Sequence, residues 1–378
     1  MEFTVHNQVL LLVFLVAAAM GAVANKTNFC TMGAVSDWVN MGDTGRLRAW
    51  LLAMAVAIAG VLILENTGII SLSGGTFPPY RTENLAWLRY LLGGLMFGIG
   101  MTLASGCGNK TLVRIGGGNL KSVAVLVIAA IMSYLMLWTE FFEKVFLSWV
   151  GPASISLGKF GITSQEISAV AAGISGASGS TPSPTLRLII GAAIVIGLLI
   201  FIFKSQDFRE SFDNILGGAT VGLAVVAGWY ITGGSMGRAW QEYAEMASDI
   251  PSRVQVQSYT FVSPMGDSVH YLLSPTKLEY INFGVMALAG VIVGSFIYAI
   301  ITRRFRVEWF ATGGDFFNHA LGAVLMGTGG VLSMGCTIGQ AVTGISTLAI
   351  GSVLTFIAIV AGAAATMKFQ YWRMMREE

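Results

Sequence analysis

Long apolar runs alternate with short polar connections along almost the whole chain. A helix needs about 20 apolar residues to cross the hydrocarbon core of a bilayer, which is about 30 Å thick. The runs predict about nine transmembrane helices, together with short re-entrant helices, in an all-α polytopic membrane protein. The predicted spans are residues 9–24, 49–67, 88–104, 123–138, 186–203, 216–231, 283–301, 320–331 and 348–367.

Composition supports this prediction and excludes one class of partner. Of the 378 residues, 54% are hydrophobic and 11% are charged, whereas soluble domains average about 25% charged residues. The formal net charge is +2, and no basic run could follow a phosphate backbone, so we expect no nucleic acid to bind. The expected surroundings are a lipid bilayer.

Lysine and arginine are distributed unevenly between the polar connections. If the N-terminus is outside, most of the 22 basic residues fall on the cytoplasmic side, Lys26, Lys110 and Arg114 among them. This bias predicts an external N-terminus and a cytoplasmic C-terminus in the cytoplasmic (inner) membrane.

An internal repeat divides the chain into two halves. Segments 98–116 and 327–345 match at a constant offset of 229 residues. The segment NFCTMGAVSD at 28–37 has a fainter counterpart at 260–268, where Val262 stands in the place of Cys30. We predict two transmembrane repeats, 1–150 and 213–378, joined by an external loop and a linking helix at 151–212. One extra span between two four-span halves inverts the second half, so the repeat is expected to be inverted.

Glycines match between the two halves and have two explanations. Any single one is most simply explained by close packing of membrane helices. A matched set favours broken helices instead, whose free backbone N–H groups suit an anion. On this second interpretation the helix-breaking residues are Gly98, Gly100, Gly327 and Gly329.

Three cysteines carry the candidate chemistry. Their number and spacing fit neither a disulfide framework nor a zinc site, and no metal or cofactor is expected. A lone buried cysteine is usually an inert small hydrophobe. However, Cys107 and Cys336 occupy equivalent repeat positions, each directly after a glycine (Gly106 and Gly335), and Cys30 has a vestigial equivalent. A thiol is a soft group and a weak donor, so it could hold a sulfur-rich anion loosely.

The segment after Gly106 carries polar residues at helical spacing. If a helix restarts there, Cys107, Lys110 and Arg114 share one face with Thr111. In the second copy, Cys336, Gln340 and Thr343 take the corresponding face without charge. Lys110 and Arg114 are either an ordinary cytoplasmic flank or an attractive exit for an anion.

The motifs NFCTMG, SGCGNK and MGCTIG resemble those of the YeeE/YedE family of sulfur-transport membrane proteins. The resemblance implies inverted halves whose re-entrant helices bring the three cysteines to a central constriction. It further implies that thiosulfate passes by transient S–H···S hydrogen bonds. The candidate substrate-binding residues are Asn28, Cys30, Gly106, Cys107, Gly108, Lys110, Arg114, Gly335, Cys336, Thr337 and Gln340.

The function expected from these features is uptake of a small sulfur-containing anion, most simply thiosulfate, by a transporter that is not an enzyme. A cytoplasmic sulfur-carrier protein is a conceivable partner. Alternatives are transport of another sulfur or selenium species, a membrane-embedded sulfurtransferase that holds a persulfide, and a sensor or scaffold in sulfur metabolism.

Overall fold

The computed structural model describes residues 4–175, 183–247 and 250–377, and is predominantly helical. The helices are α1 (Val5–Lys26), α2 (Thr31–Ser36), α3 (Gly45–Asn66), α4 (Trp87–Leu103), α5 (Gly108–Gly116), α6 (Leu120–Trp138), α7 (Ser148–Val150), α8 (Ile167–Ile174), α9 (Pro184–Phe203), α10 (Gln206–Glu210), α11 (Phe212–Gly233), α12 (Ser235–Met246), α13 (Val262–Leu273), α14 (Phe283–Ile301), α15 (Gly313–Leu332) and α16 (Ile350–Glu377). Shorter elements are the π-helical segments Asp37–Met41, Glu143–Leu147 and Ile338–Gly344, the 3₁₀ turns Leu157–Phe160 and Leu278–Tyr280, and the antiparallel strands β1 (Asn84–Leu85) and β2 (Ile155–Ser156).

The architecture confirms an all-α polytopic membrane protein. Every predicted span lies largely within a long helix, and eight helices among the described residues are long and apolar enough to cross a bilayer. The predicted span at 320–331 lies in α15, which has 20 residues but includes Asp315 and several glycines. Since α15 packs between α4 and α6, bundle helices rather than lipid cover much of its surface.

Helix packing follows the internal repeat. α1 packs against α14, and α11 packs against α3 in the same way; α4 packs against α16, and α15 against α6. The repeat makes α4 equivalent to α15 and α6 equivalent to α16. The contact between α4 and α16 is therefore equivalent to the contact between α15 and α6. α4 and α15 also contact each other. The helix contacts of the two matched segments thus correspond pair by pair.

The four glycines expected to break helices do not do so. Gly98 and Gly100 lie inside the continuous helix α4, and Gly327 and Gly329 lie inside α15. A Cβ on Gly100 would lie 2.6 Å from the Gly322 carbonyl oxygen, and one on Gly329 would lie 2.7 Å from the Gly93 oxygen. The prediction of broken helices at these positions is therefore wrong. Their role is the close helix packing that small residues permit in membranes.

A buried cluster of four charges holds the connections at one end of the bundle. Arg81 pairs with Glu65 at 2.7 Å, and Arg187 pairs with Glu166 at 2.7 Å. Arg81 also donates to the Thr347 carbonyl oxygen at 3.0 Å. The cluster fastens the segment 76–82 to α3, to α9 and to the start of α16. Part of the predicted external loop, 176–182, lies outside the described residues.

Candidate functional site

Each of the three cysteines follows a chain reversal of the same design. The residue two positions before each cysteine is left-handed: Asn28 has φ 57°, Ser105 φ 58° and Met334 φ 61°. The next residue donates its N–H back to the helix that has just ended, as in Gly106 N to Met101 O at 2.9 Å and Gly335 N to Gly330 O at 2.7 Å. This is the Schellman motif, which satisfies the last carbonyls of a helix. It ends α1, α4 and α15 inside the protein.

A new helix begins directly after each reversal. Cys30 is the N-cap of α2, and its sulfur accepts the Gly33 N–H at 3.4 Å. Cys107 is the N-cap of α5, so the helix restart expected after Gly106 is confirmed. Cys336 Sγ accepts the Gly339 N–H at 3.4 Å, at the start of the π-helical segment. The three thiols therefore all lie at the N-terminal ends of short helices.

The three thiols meet in one buried cluster, which we call the thiol cluster (Cys30, Cys107, Cys336). Cys107 and Cys336 are fully buried and Cys30 is 5% exposed. The Cys30 and Cys107 thiols lie near each other. Cys336 lies next to this pair, because a Cβ on Gly108, the residue after Cys107, would lie 4.0 Å from the Cys336 Cβ. All three are free cysteines.

Hydroxyl groups lie between the thiols. Thr31 Oγ1 donates to Cys107 Sγ at 3.8 Å. Thr337 lies near the same sulfur and is fully buried, and its Oγ1 has no hydrogen-bond partner among the described residues. The structure thus places Thr337, predicted from the motif MGCTIG, between Cys107 and Cys336.

Cations gather at the Cys30 end of the thiol cluster. Lys110 Nζ donates to the Asn28 side-chain oxygen at 2.5 Å, and Arg114 donates to the Ser105 carbonyl oxygen at 2.7 Å. These bonds hold the side chains of Lys110 and Arg114 against the chain reversals that precede Cys30 and Cys107. Arg46 also lies here, packed over Gly33 and paired with Asp37. Sequence reasoning did not select Arg46, because nothing in its local spacing distinguishes it from other basic flanks.

The Cys336 end is uncharged. Tyr80 donates its hydroxyl to the Gly339 carbonyl oxygen at 2.6 Å. Gln340 is 1% exposed and donates to the Ser333 carbonyl oxygen at 2.6 Å, which gives it a part in holding the reversal. Thr260 packs against Gly339. Tyr80 left no signal in the sequence. Thr260 did, because it takes the place of Asn28 in the faint repeat.

Val262 occupies the place that a fourth thiol would take. It is the first residue of α13, it is 2% exposed, and it packs against Gly330. The thiol cluster is therefore asymmetric although the surrounding helices are paired.

Two cavities of about 810 Å³ each lie toward opposite ends of the bundle. One lies at the Cys30 end, with Met32, Ser36 and Ser105 in its wall, beside the last turns of α16. The other lies beyond the segment 76–82, at the end where α16 begins, and Thr76 and Arg253 help to line it. The thiol cluster lies between the two cavities.

Comparison with known proteins finds transporters that are similar to this chain. The chain is similar to the thiosulfate transporter TsuA of Escherichia coli (strain K12), with 25% identity over 342 residues, 85% of this chain and 84% of that protein. It is also similar to the thiosulfate transporter TsuA of Spirochaeta thermophila, with 24% identity over 358 residues, 92% of this chain and 95% of that protein.

The match to a family model covers nearly the whole chain. The model described as sulphur transport matches residues 26–365, which include all three cysteines and both halves of the repeat. With its membrane-spanning helices, this multi-pass protein belongs to the sulphur transport (YeeE/YedE) family.

Proposed function

We propose that this protein takes up thiosulfate across the cytoplasmic membrane, with Cys30, Cys107 and Cys336 as successive weak binding points. One observation carries the proposal: three free thiols, distant in sequence, meet in a buried cluster between two cavities. Thiosulfate presents a soft terminal sulfur that can accept weak S–H hydrogen bonds. Two relatives are named thiosulfate transporters, and these names support thiosulfate as the substrate.

Passage requires that the cargo be held loosely at each point. A site must bind well enough for an ion to enter and weakly enough for it to leave. Thiols meet this requirement because they are weak donors without fixed charge. The N-terminal N–H groups of α5 favour an anion beside Cys107.

The direction of uptake in this proposal follows the distribution of charge. Lys110 and Arg114 lie at the Cys30 end, which positive-inside counting assigns to the cytoplasm, with the N-terminus outside and the C-terminus inside. There they would attract the anion toward the exit. A cytoplasmic sulfur carrier would receive the cargo at this face. The halves 1–150 and 213–378 supply the Cys30–Cys107 and Cys336 ends of the path, and 151–212 links them.

Uptake into proteoliposomes tests the proposal. The purified chain is reconstituted, and labelled thiosulfate, sulfite and selenite are supplied in parallel, with and without a proton gradient. We expect thiosulfate uptake by the wild type and almost none by Cys107→Ala or Cys336→Ala. Gly197→Ala is the control, because nothing lies within 4 Å of the added Cβ. Full uptake by both cysteine variants at normal expression would contradict the thiol mechanism.

The proximity of the Cys30 and Cys107 thiols also suits a membrane-embedded sulfurtransferase. Such an enzyme would carry a persulfide on one sulfur and need a thiolate activated by a neighbouring cation, for which Lys110 is available. Mass spectrometry after thiosulfate exposure separates the two functions. A persistent sulfur adduct on one cysteine favours the enzyme, and unmodified cysteines during active uptake favour transport.

A further inference from the structure

The two ends of the thiol cluster differ at two pairs of equivalent positions. At the Cys30 end, Lys110 donates to Asn28. The offset of 229 residues places Gly339 in the position of Lys110, and the fainter repeat places Thr260 in the position of Asn28. The second half therefore replaces an amide and a cation with a hydroxyl and a glycine.

This replacement leaves a buried hydroxyl without a partner. Thr260 is 5% exposed, and its Oγ1 has no hydrogen-bond partner in the part of the chain that the structure describes. A Cβ on Gly339 would collide with this oxygen. The absence of a side chain at Gly339 thus lets the Thr260 side chain lie directly against the backbone of residue 339.

The unpartnered hydroxyl lies beside Cys336. Gly339, which Thr260 faces, donates its N–H to Cys336 Sγ at 3.4 Å. Thr337, which directly follows that cysteine, is fully buried, and its Oγ1 also has no hydrogen-bond partner among the described residues. Two unpartnered hydroxyls therefore lie near Cys336, one on the next residue and one against Gly339.

Buried polar groups in native proteins are nearly always hydrogen-bonded, and exceptions call for an explanation such as a ligand. An anion with a terminal sulfur and several oxygens offers partners to all three groups. The thiol suits the sulfur and the hydroxyls suit the oxygens. Hydrosulfide has no oxygens, and sulfate has no terminal sulfur.

We infer that Thr260 and Thr337 form an uncharged subsite for the sulfonate oxygens of the substrate, while Cys336 takes its terminal sulfur. This inference rests on the proposed function and names the part of the path that selects thiosulfate-like anions. Because the subsite has no cation, it holds the anion less tightly than the Lys110 end does. Gly339 allows the Thr260 hydroxyl to approach this close to the Cys336 turn.

Substitution of the Thr260 hydroxyl tests the subsite. Thr260→Val removes the hydroxyl at nearly constant volume, and Thr260→Ser keeps it. We expect Thr260→Val to raise the KM for thiosulfate uptake about tenfold or more, the loss typical of a hydrogen bond to a charged group. Thr260→Ser should stay close to the wild type. Inhibition of labelled thiosulfate uptake by hydrosulfide, which uses the thiol alone, should keep its inhibition constant in both variants.

Thr328→Val is the matched control. Thr328 is 4% exposed and its Oγ1 also lacks a partner, but it lies in α15 between glycines packed on α6 and α4. Thermal unfolding in detergent confirms that each variant is folded. Protection of Cys336 from maleimide by thiosulfate gives a second readout, which should require about tenfold more thiosulfate in Thr260→Val.

The outcomes separate this inference from the function on which it rests. An unchanged KM in Thr260→Val, or a loss that Thr260→Ser does not restore, overturns the subsite while uptake by the wild type stands. A wild type that takes up no thiosulfate overturns the proposed function itself.

Discussion

Tyr80 and Gly339 close the Cys336 end of the thiol cluster through one hydrogen bond of 2.6 Å from the phenol to the carbonyl oxygen. Tyr80 is 3% exposed, and burial raises the pKa of its hydroxyl well above the ordinary value. The hydroxyl therefore remains a donor throughout the physiological pH range. Arg81, next in sequence, is fastened to Glu65. Together these contacts hold the segment 76–82 between the thiol cluster and the cavity beyond it.

Loss of the Tyr80 hydroxyl should make Cys336 easier to reach. Tyr80→Phe removes a bond worth about 0.5–1.5 kcal/mol. The population in which the segment 76–82 covers Cys336 should therefore fall up to about tenfold relative to the population in which it does not. We expect a water-soluble maleimide to modify Cys336 several-fold faster, as measured by mass spectrometry of its peptide. Tyr90→Phe is the control, since Tyr90 is equally buried and bonds to Gln165 instead. Equal rates in wild type and Tyr80→Phe would show that this bond does not close the path.

Removal of the Lys110 charge should slow uptake. Lys110→Gln removes one positive charge from the Cys30 end, so the electrostatic attraction of an anion to this end becomes weaker. Because salt screens this attraction, the uptake rate should also depend less on ionic strength in the variant. We expect a several-fold lower uptake rate in proteoliposomes at low ionic strength and a smaller difference at high ionic strength. Lys204→Gln removes an exposed charge from the same predicted face and should change little. An equal loss in both variants would assign the effect to general surface charge.

The tight glycine contacts between helices should appear in stability. Gly100→Ala places a Cβ 2.6 Å from a backbone oxygen of α15, and overpacking of this kind costs about 1–3 kcal/mol. The unfolding temperature in detergent should fall accordingly. Gly197→Ala, in the open face of α9, should be neutral or gain about 0.5–1 kcal/mol from helix propensity. A stable Gly100→Ala variant would mean that α4 and α15 can separate at little cost.

The sequence predicted the helices well because apolar length and the repeat are global signals. It placed helix breaks at Gly98 and Gly327 because a membrane glycine looks the same whether it breaks a helix or packs one. The actual breaks are at Asn28, Ser105 and Met334. The last two lie one turn or more after the predicted glycines. Left-handed serine and methionine are uncommon, so no local rule would select them.

Met334 provides a direct check of this backbone geometry. Its φ of 61° is unfavourable for a residue with a Cβ. Met334→Gly should therefore keep or raise the unfolding temperature, with a gain of up to about 1 kcal/mol from relieved strain. Met334→Val adds a β-branch in the same conformation and should lower it. The opposite order of the two variants would be inconsistent with a left-handed residue 334.

Contacts made by long loops could not be foreseen from the sequence. Tyr80 and Arg81 reach the thiol cluster and Thr347 from a connection between α3 and α4 that has no repeated counterpart. Their positions depend on the buried carboxylates of Glu65, in the last turn of α3, and Glu166, at the N-cap of α8. Only the assembled bundle brings these groups together.

Val262 has a consequence for flux through the protein. Under the proposed function, valine in the place that the repeat gives to a fourth thiol makes the two ends of the path unlike, so an anion should bind from each side with a different affinity. Such a difference cannot change the final distribution, which the electrochemical gradient sets. It would let the inward and outward rates saturate at different thiosulfate concentrations. One valine in place of a cysteine would thus be enough to make a duplicated scaffold transport asymmetrically.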